Sequence, residues 1–580
     1  MTVENPEALV SVRDLTINFG PHTAVTGLSF DLAPGRCVAL VGESGSGKSV
    51  SARALLGLVG PGSRVEASEL RLGTHDLRTL TPAQWRGVRG REVGLVLQDA
   101  LVSLDPLNTI GSEVAESLRL HTGLAKKPAA EIVHALLRRV GIRDPEERAA
   151  QYPHQLSGGL RQRALIASAV AAGPRVLIAD EPTTALDVTV QAQVLELLAE
   201  LKREGTALLL VSHDLAVVSE LADEIIVLRA GAVIERGTPA QILHNPRADY
   251  TRQLLDAVPS AHTRGERLSP LPPAVFTRPR VAGQDEAARV GDSARLGTVP
   301  ARSELTESGS SESGLTVAPT APILEARNLV KSYPASRGRR TTVLHDVSFT
   351  LERGKTLGIV GESGSGKSTA AAIALGLTPA DSGEVLLDGE AWSSLRERER
   401  RARRHRIQTI SQDPLGSFDP RSNVRTLLGE ALSTVGVPRG ARDDAATALL
   451  EQVGLSAIHL GRHPLELSGG QRQRIAIAQA LATNPEIIVC DEPVSALDVS
   501  IQAQVLDLLR DLQDQLHVSL LFISHDLGVV RHVAHDVAVM QHGRIVEFGE
   551  TGEVFDHPRH PYTRDLIAAI PTISAPLPAI

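Results

Sequence analysis

The residues best suited to chemistry form a glycine-rich loop that ends in a lysine and a serine. Residues 42–49 (GESGSGKS) fit the pattern G-x-x-x-x-G-K-[ST] and lie between an apolar run and a helix-like stretch. Glycines let the backbone curl so that its N–H groups face phosphate oxygens, and the start of the helix adds a positive dipole. We therefore expect Lys48 to reach the β- and γ-phosphates of a nucleotide and Ser49 to coordinate Mg²⁺. Residues 361–368, with Lys367, repeat the arrangement, so a chance glycine-rich turn is a poor explanation.

An acidic pair ends an apolar run in each half of the chain. Asp180 and Glu181 follow RVLIA, and Asp491 and Glu492 follow IIVC. A carboxylate at such a strand end can hold Mg²⁺ through water, and the next one can polarise the attacking water as a general base. Taken alone, each pair could be an ordinary acidic strand end. Beside a phosphate-binding loop, the catalytic interpretation is favoured.

A histidine and a glutamine in each half complete the set of polar candidates. His213 and His525 end strand-like runs and precede Asp-Leu, where a histidine can contact the γ-phosphate and position the water. Alone, each could be a surface or capping histidine, but their repetition in register favours a role in the site. Gln98 and Gln412 follow β-like runs, and an amide side chain there can bind Mg²⁺ and the water while its loop moves.

The sequence LSGG opens a helix-like stretch twice, at 156–159 and 467–470. A serine hydroxyl and glycine N–H groups at a helix start form a second anion site. The alternative is a plain helix cap. A second phosphate-binding element in each half, without a second glycine-lysine loop, favours the anion site.

These motifs recur in the same order and at nearly constant spacing, which indicates two homologous domains. We place the domains at 8–258 and 322–578. The residues between them, 259–321, are rich in Pro, Ser, Gly, Arg and Ala and show no sustained apolar period, so they are predicted to form a flexible linker.

The elements that must position the motifs follow an α/β pattern. Short Leu- and Val-rich runs precede the polar motifs and alternate with helix-like stretches such as 190–204 (VQAQVLELLAELKRE). This alternation predicts a parallel sheet with helices on its faces. Near the end of each half, the sequence predicts a hairpin that turns at Ala230-Gly231 in the first half and at His542-Gly543 in the second.

Composition narrows the class of protein. The 580 residues carry a net charge of −8, which argues against a broad nucleic-acid-binding surface. Cys37 and Cys490 are the two cysteines, each in an apolar run, so neither a disulfide framework nor a thiolate metal cluster is expected, and a reducing cytosol fits. The N-terminal residues lack a signal pattern, and no apolar run approaches the roughly 18 residues of a membrane span. We expect any membrane role to come through a partner.

The motifs, in this order, resemble those of the ATP-binding-cassette (ABC) ATPases across both halves. The resemblance implies two tandem P-loop NTPase domains, each with a RecA-like core and a helical subdomain, that close head-to-tail around two ATP molecules. Each ATP would contact the P-loop of one half and the LSGG of the other. The resemblance also assigns Phe19 and Tyr333 to stack on adenine, and Asp187 and Asp498 to the D-loop.

The expected site residues fall into three groups, and both sites are expected to hydrolyse ATP. Nucleotide-binding residues of site one are Phe19, Gly42, Ser44, Gly45, Gly47, Lys48, Ser49 and Gln98, with Ser468 and Gly470. Those of site two are Tyr333, Gly361, Ser363, Gly364, Gly366, Lys367, Ser368, Thr369 and Gln412, with Ser157 and Gly159. The expected Mg²⁺ ligands are Ser49, Gln98, Asp180, Ser368, Gln412 and Asp491, and the expected catalytic residues are Glu181, His213, Glu492 and His525.

A narrower resemblance is to the fused ATPases of oligopeptide, dipeptide and nickel importers. The Q-loop (QDPLGSFDPRSNV), the LSGG region (QYPHQLSGGLRQR) and the C-terminal element at about 557–578 carry it, and 245–260 is a degenerate copy of that element. It implies an ATPase on the cytoplasmic face of the cell membrane that powers import of peptides or related small solutes. The implied partners are two transmembrane permease subunits, which dock near Gln98 and Gln412, and an extracytoplasmic solute-binding protein, with no nucleic acid. Some members carry a cysteine cluster beyond the C-terminal element. This chain has no cysteine there, so no iron–sulfur centre is expected.

Other classes of ABC protein fit the sequence less well. Soluble tandem ABC proteins that act on ribosomes usually have a charged helical arm between their cassettes, whereas 259–321 is Pro/Gly/Ser-rich. Cassettes of DNA repair or chromosome maintenance need zinc cysteines or long coiled coils. The arginine-rich run 395–406 could bind nucleic acid or anionic lipid, but a solvated helix face before the Gln412 strand is the favoured interpretation. The histidines near 535–560 do not match a metal-ligand spacing and are read as surface residues.

Overall fold

The structure is a computed structural model that describes residues 8–98, 103–184, 186–259, 263, 265–277, 321–334, 340–495 and 497–570. Each half is an α/β unit whose parallel strands carry helices on both faces, which confirms the predicted fold class. The central part of the predicted linker, residues 278–320, lies outside the described residues, as does the end of the C-terminal element beyond residue 570.

The first half combines a parallel core with an antiparallel layer in one 11-stranded sheet. Its central parallel strands are buried at every residue, because they are covered on both faces. In sheet order the strands are His75–Asp76, Glu69–Leu72, Val10–Phe19, His22–Leu32, Ala232–Gly237, Glu224–Arg229, Cys37–Val41, Ala207–Ser212, Val176–Asp180 and Val93–Val96, with Ser63–Glu66 beside Val10–Phe19.

Helices of the first half cover the parallel strands, and three of the longer ones pack together in the part of the chain between the strands Val93–Val96 and Val176–Asp180. This group corresponds to the helical subdomain expected from the resemblance. The helices are Lys48–Ala54, Pro82–Val88, Ile110–Thr122, Lys126–Arg139, Pro145–Ala149, Gly158–Val170, Val188–Arg203, Leu215–Leu221, Pro239–His244 and Asp249–Asp256, with a 3-10 turn at Pro153–Gln155.

The second half repeats this plan with two separate sheets. The four-stranded sheet has the order Arg340–Leu351, Leu324–Pro334, Ser382–Leu387 and Glu390–Ala391, and the six-stranded sheet has the order Ile407–Ile410, Ile487–Asp491, Ser519–Ile523, Thr356–Val360, Asp536–Gln541 and Arg544–Glu550. The helices are Lys367–Ala374, Glu397–Arg400, Pro414–Ser417, Val424–Thr434, Arg442–Gln452, Gly469–Leu481, Val499–Leu516, Leu527–Val533, Thr551–Asp556 and Pro561–Ala568. Within the described ranges, no helix is long and apolar enough to cross a membrane.

Both predicted hairpins are present, with the predicted turn residues. Ala230 and Gly231 connect two antiparallel strands with φ of 47° and 82°, and His542 and Gly543 do so with 47° and 75°. Positive φ at both central residues defines the type I′ turn, which matches the twist of a two-residue hairpin. A Cβ on Gly543 would lie 2.2 Å from the Val343 carbonyl oxygen, so this close approach requires glycine.

Part of the predicted linker is packed on the second half. Residues 265–277, here called the strap, lie along the helix Val499–Leu516, and Leu268 and Phe276 are 2% and 6% exposed in the hydrophobic core of the second half. Asp507 accepts hydrogen bonds from the N–H groups of Leu268 (3.1 Å) and Ser269 (2.8 Å). The segment predicted to be a flexible linker, because it lacks a sustained apolar period, therefore contains two buried apolar side chains and backbone N–H groups that bond to the second half.

The arginine-rich run folds locally, as predicted, into a short helix and turn ahead of the next strand. It spans Glu397–Arg400 and Arg401–Arg406. Arg403, Arg404 and Arg406 form ion pairs with acidic residues of the same half. Much of its positive charge is therefore neutralised within the domain.

Candidate functional site

Four adjacent parallel strands in each half end at one edge of the sheet, and each is followed by one of the sequence motifs. In the first half these are the P-loop, His213, the acidic pair and Gln98. Carboxyl ends of neighbouring parallel strands are where ligands bind in such sheets. The strand order therefore brings together residues that lie as much as 171 positions apart, from Gly42 to His213.

The first P-loop wraps tightly because two of its glycines have no room for a side chain. A Cβ on Gly42 would lie 2.1 Å from the Leu228 carbonyl oxygen, and Gly47 adopts φ of 98°. Lys48 is 5% exposed, and its Nζ donates to the carbonyl oxygens of Gly42 (2.6 Å) and Glu43 (2.9 Å). Burial lowers the pKa of Lys48, although nearby carboxylates, Glu181 foremost, oppose this.

The second P-loop reproduces this geometry. A Cβ on Gly361 would lie 2.1 Å from the Met540 carbonyl oxygen. Lys367 Nζ donates to the carbonyl oxygens of Gly361 (2.7 Å) and Glu362 (2.9 Å), and burial lowers the pKa of this lysine too. Both loops thus hold a buried ammonium group at the start of a helix, where an anion is stabilised.

The acidic pair of the first half is engaged by the predicted polar residues. Ser49 Oγ donates to Asp180 Oδ1 at 2.8 Å, and Gln98 Nε2 donates to Glu181 Oε2 at 2.8 Å. His213 Nδ1 lies 3.4 Å from Glu181 Oε1. Burial raises the pKa of Asp180, whereas for Glu181 the effect of burial is outweighed by contact with His213, so the pKa of that carboxyl lies below its usual value.

The second half has the same cluster. Ser368 Oγ donates to Asp491 Oδ1 at 3.2 Å, and Gln412 Nε2 donates to Glu492 Oε2 at 2.7 Å. His525 Nδ1 lies 3.2 Å from Glu492 Oε2. Although burial alone would lower it, the pKa of His525 is raised by this carboxylate, and the pKa of Glu492 is correspondingly lowered.

The general-base candidates share a strained backbone. Glu181 and Glu492 have φ of 51° and 48°, a region that non-glycine residues adopt at a cost of about 1–3 kcal/mol. In the first half, Thr184 Oγ1 also donates to Glu181 Oε2 at 3.0 Å, a contact that the sequence did not suggest.

The D-loop aspartates connect each P-loop to the opposite half. Asp498 Oδ1 accepts hydrogen bonds from both the N–H and the hydroxyl of Ser44 at 2.8 Å. Asp187 Oδ2 accepts from the N–H of Ser363 at 3.2 Å. The two halves thus meet P-loop against D-loop in both directions.

The LSGG serines cap their helices, and the first also faces the other half. Ser157 Oγ accepts from Leu160 N–H. A cavity of about 550 Å³ is lined by Ser157 and Gly159 of the first half together with Glu362 and Ser363 of the second. In the second half Ser468 caps its helix by accepting from Gln471 N–H at 3.3 Å, and Gly470 lies against Ile501 of its own half.

The two proposed adenine-stacking aromatics differ in environment. Phe19 is half-buried at the end of its strand and packs against the core of the antiparallel layer. Tyr333 is 39% exposed, with Lys331 Nζ 5.5 Å from its ring centre.

Two tyrosines that the sequence interpretation passed over also contact the P-loops. Tyr250 Oη accepts from Glu43 N–H (3.2 Å), and Tyr562 Oη accepts from Glu362 N–H (3.1 Å). Both lie in the C-terminal element of their half, and the shared Tyr-Thr dipeptide was the signal that could have identified them.

The donor set fits Mg²⁺ as well as phosphate. Each cluster offers a serine hydroxyl, a carboxylate and an amide, and Mg²⁺ prefers oxygen ligands of these kinds. Ser49 and Asp180 already contact each other, as do Ser368 and Asp491, so a single ion could be shared by each pair.

Two family models match both halves of the chain. The ABC transporter family model matches residues 25–184 and 344–495, and the model of the oligopeptide/dipeptide transporter C-terminal region matches 234–281 and 546–579. A solved structure, the dimeric post-hydrolysis state of the ATP-binding cassette MJ0796 bound to ADP and Pi, covers 39% of this chain and 98% of its own at 27% identity, with a TM-score of 0.37.

Curated relatives extend over nearly the whole chain. The glutathione import ATP-binding protein GsiA of Escherichia coli (strain K12) is 42% identical over 583 residues, which cover 97% of this chain and 89% of the relative. The protein of the same name from Shigella boydii serotype 4 (strain Sb227) is 42% identical over 581 residues, with the same coverage. The ribosome-associated alternative receives no support from these matches. The chain therefore belongs to the ABC transporter family, as an ATP-binding and ATP-hydrolysing protein with two ABC domains, each followed by the C-terminal region of oligopeptide/dipeptide transporters.

Proposed function

We propose that this chain is the ATPase subunit of an importer for peptides or related small solutes, and that it hydrolyses ATP at two sites between its halves. The observation that carries the proposal is the reciprocal contact of each D-loop aspartate with the opposite P-loop, beside a complete set of polar residues in both halves. Since neither set lacks a member, both sites are proposed to be active.

The proposed roles follow from the contacts. Lys48 and Lys367 bind the β- and γ-phosphates from the loops that hold them, with the nucleotide-binding residues predicted from the sequence around them. Ser157 and Gly159 complete the site of Lys367, which the shared cavity supports, and Ser468 and Gly470 complete that of Lys48 by symmetry. Phe19 and Tyr333 are proposed to contact adenine.

Bound Mg²⁺ would offset the charge that develops on the phosphates, held by Ser49, Gln98 and Asp180 in site one and by Ser368, Gln412 and Asp491 in site two. Glu181 and Glu492 accept the proton of the attacking water, and their lowered pKa keeps them ionised for that task at neutral pH. His213 and His525 orient these carboxylates from 3.4 and 3.2 Å and contact the γ-phosphate.

The proposed partners are two transmembrane permease subunits and a solute-binding protein outside the membrane, which place this chain on the cytoplasmic face of the inner membrane. The relatives named for glutathione import and the transporter-type C-terminal regions support an importer of peptide-like solutes. The domain limits 8–258 and 322–578 are proposed on the positions of the two motif sets.

The general-base assignment can be tested with Glu181→Gln and Glu492→Gln. The amide keeps the shape of the side chain but cannot accept the proton, so the double variant should bind ATP with little change and hydrolyse it about 10²- to 10⁴-fold more slowly. Steady-state ATPase rates and ATP binding are measured on the same preparations. Normal turnover in the double variant would contradict the assignment.

A further inference from the structure

The C-terminal element of each half reaches back to the P-loop of that half. In the first half the element contains the helix Asp249–Asp256, and in the second the helix Pro561–Ala568. Tyr250 and Tyr562 are 5% and 8% exposed, and each places its hydroxyl against one backbone N–H of a P-loop.

The element is itself held in place by an acidic side chain on the last strand of the hairpin. Glu235 accepts from the N–H groups of Arg247 (2.8 Å) and Ala248 (3.1 Å) just before the first helix. In the second half, Glu547 accepts from the N–H groups of Arg559 (2.8 Å) and His560 (3.0 Å). The tyrosines thus project from a segment whose start is fixed by hydrogen bonds to a carboxylate.

The bonded N–H lies on the same peptide unit as a carbonyl that holds the P-loop lysine. The peptide between Gly42 and Glu43 points its C=O to Lys48 Nζ and its N–H to Tyr250 Oη. The next peptide points its C=O to Lys48 Nζ and its N–H to Asp498. Because C=O and N–H lie on opposite sides of a trans peptide, an acceptor on the N–H side orients the carbonyl on the lysine side.

The same pairing holds in the second half. The peptide between Gly361 and Glu362 joins Lys367 Nζ to Tyr562 Oη, and the next peptide joins Lys367 Nζ to Asp187. Two successive peptides of each loop are therefore oriented from outside, one by the C-terminal element of the same half and one by the D-loop of the other.

We propose that Tyr250 and Tyr562 are positioning residues that orient the first peptide of each P-loop and thereby set the placement of Lys48 and Lys367 for ATP. This proposal deepens the proposed ATPase function and rests on it. Burial raises the pKa of both tyrosines to about 12, so their hydroxyls stay neutral over the working range of pH. Arg229 stacks 4.7 Å from the ring centre of Tyr250, which holds that ring in addition.

The test uses Tyr250→Phe and Tyr562→Phe in the full chain, because phenylalanine keeps the buried ring and removes only the hydroxyl. A photoreactive ATP analogue is titrated, and labelled peptides from each half are quantified separately. Tyr250→Phe should raise the half-saturation concentration for the first half about 3- to 10-fold, the effect of one lost hydrogen bond, and leave the second half unchanged. Tyr562→Phe should do the reverse, and in both variants KM for ATP should rise more than kcat falls.

The controls are Ile242→Val and Val554→Ala, which loosen the buried packing of the helix before each element and leave both tyrosine hydroxyls in place. They should lower the melting temperature without changing the labelling curves. Unchanged labelling in both Tyr→Phe variants would overturn the proposal, as would equal weakening in both halves that tracks the melting temperature. If the ATP analogue labels neither half of the unaltered chain, the proposed ATPase sites are contradicted. If it labels both halves and the Tyr→Phe variants label equally well, only the role of the tyrosines is contradicted.

Discussion

Ser49 and Ser368 each donate a hydrogen bond that connects the P-loop to the acidic strand end. Ser49 Oγ donates to Asp180, whose pKa is raised by burial and whose charge is therefore costly without a partner. A serine hydroxyl that also serves as a metal ligand would need to exchange this contact for the ion. Loss of such a hydroxyl should weaken binding of the Mg²⁺ complex of ATP more than binding of ATP alone.

Ser49→Ala should therefore weaken binding of Mg²⁺-ATP at site one by about tenfold or more while changing binding of metal-free ATP much less, since the lost group is a metal ligand. Ser49→Thr keeps the hydroxyl and fits the P-loop pattern, so it should restore binding. ATP titrations of each variant with and without Mg²⁺ measure the two affinities. Equal loss in the two titrations would show that Ser49 acts on the loop and not on the ion.

At the scale of elements, the sequence predicted the parts whose signals are local. The P-loops, the strand-end acids and the two hairpins could be located because each depends on a few adjacent residues, such as His542 and Gly543 with positive φ. The sheet order across the chain and the contact of Asp498 with Ser44 depend on tertiary packing and were not predicted, because the resemblance assigned Asp498 to the D-loop without naming its partner.

The packing of the strap on the second half could not be predicted from the sequence of the strap. Its proline-rich composition resembles a linker, but its backbone N–H groups bond to buried carboxylates on a helix more than 200 positions away. Asp511 accepts from Arg267 (2.7 Å) and from the N–H of Ala274 (2.8 Å). No local pattern in 265–277 marks such partners, because the information lies in the helix Val499–Leu516.

The strap should be released by Asp507→Ala with Asp511→Ala, because hydrogen bonds to charged groups contribute about 1.5–3 kcal/mol each and four strap donors would lose theirs. Trypsin should then cut after Arg267 at least tenfold faster. The matched control is Glu196→Ala with Glu200→Ala, at the equivalent positions of the first half's helix Val188–Arg203. That pair should leave the cleavage rate near that of the unaltered chain, and equal rates in all three proteins would contradict the role of the two aspartates.

At the scale of the whole molecule, the two sites share one interface. A central cavity of about 170 Å³ is lined by His213 and Asp214 of the first half and by His525 and Asp526 of the second. Each P-loop also takes one of its backbone partners from the other half. Each site is therefore built from residues of both halves, and we expect the two sites to close and open together.

This arrangement predicts a specific cross-link. Ser44→Cys with Asp498→Cys should form a disulfide on mild oxidation, because the two side chains are in hydrogen-bond contact at 2.8 Å. Cys37 and Cys490 should not compete, since both are fully buried and burial raises the pKa of each thiol above its usual value. The cross-link should stop ATP turnover, because it prevents the halves from separating. Reduction should return the ATPase rate to that of the same variant before oxidation.

The matched control is Ser44→Cys with Asp187→Cys, which pairs the first P-loop with the D-loop of its own half. Asp187 contacts Ser363 of the second half, so this pair should not cross-link within one chain. Cross-links are identified by mass spectrometry of non-reduced peptides, and ATPase rates are measured before and after reduction. Efficient linkage of 44 to 187, with none of 44 to 498, would refute the head-to-tail arrangement. That result would mean that each P-loop is closed by the D-loop of its own half, and the two ATP sites would then not depend on each other.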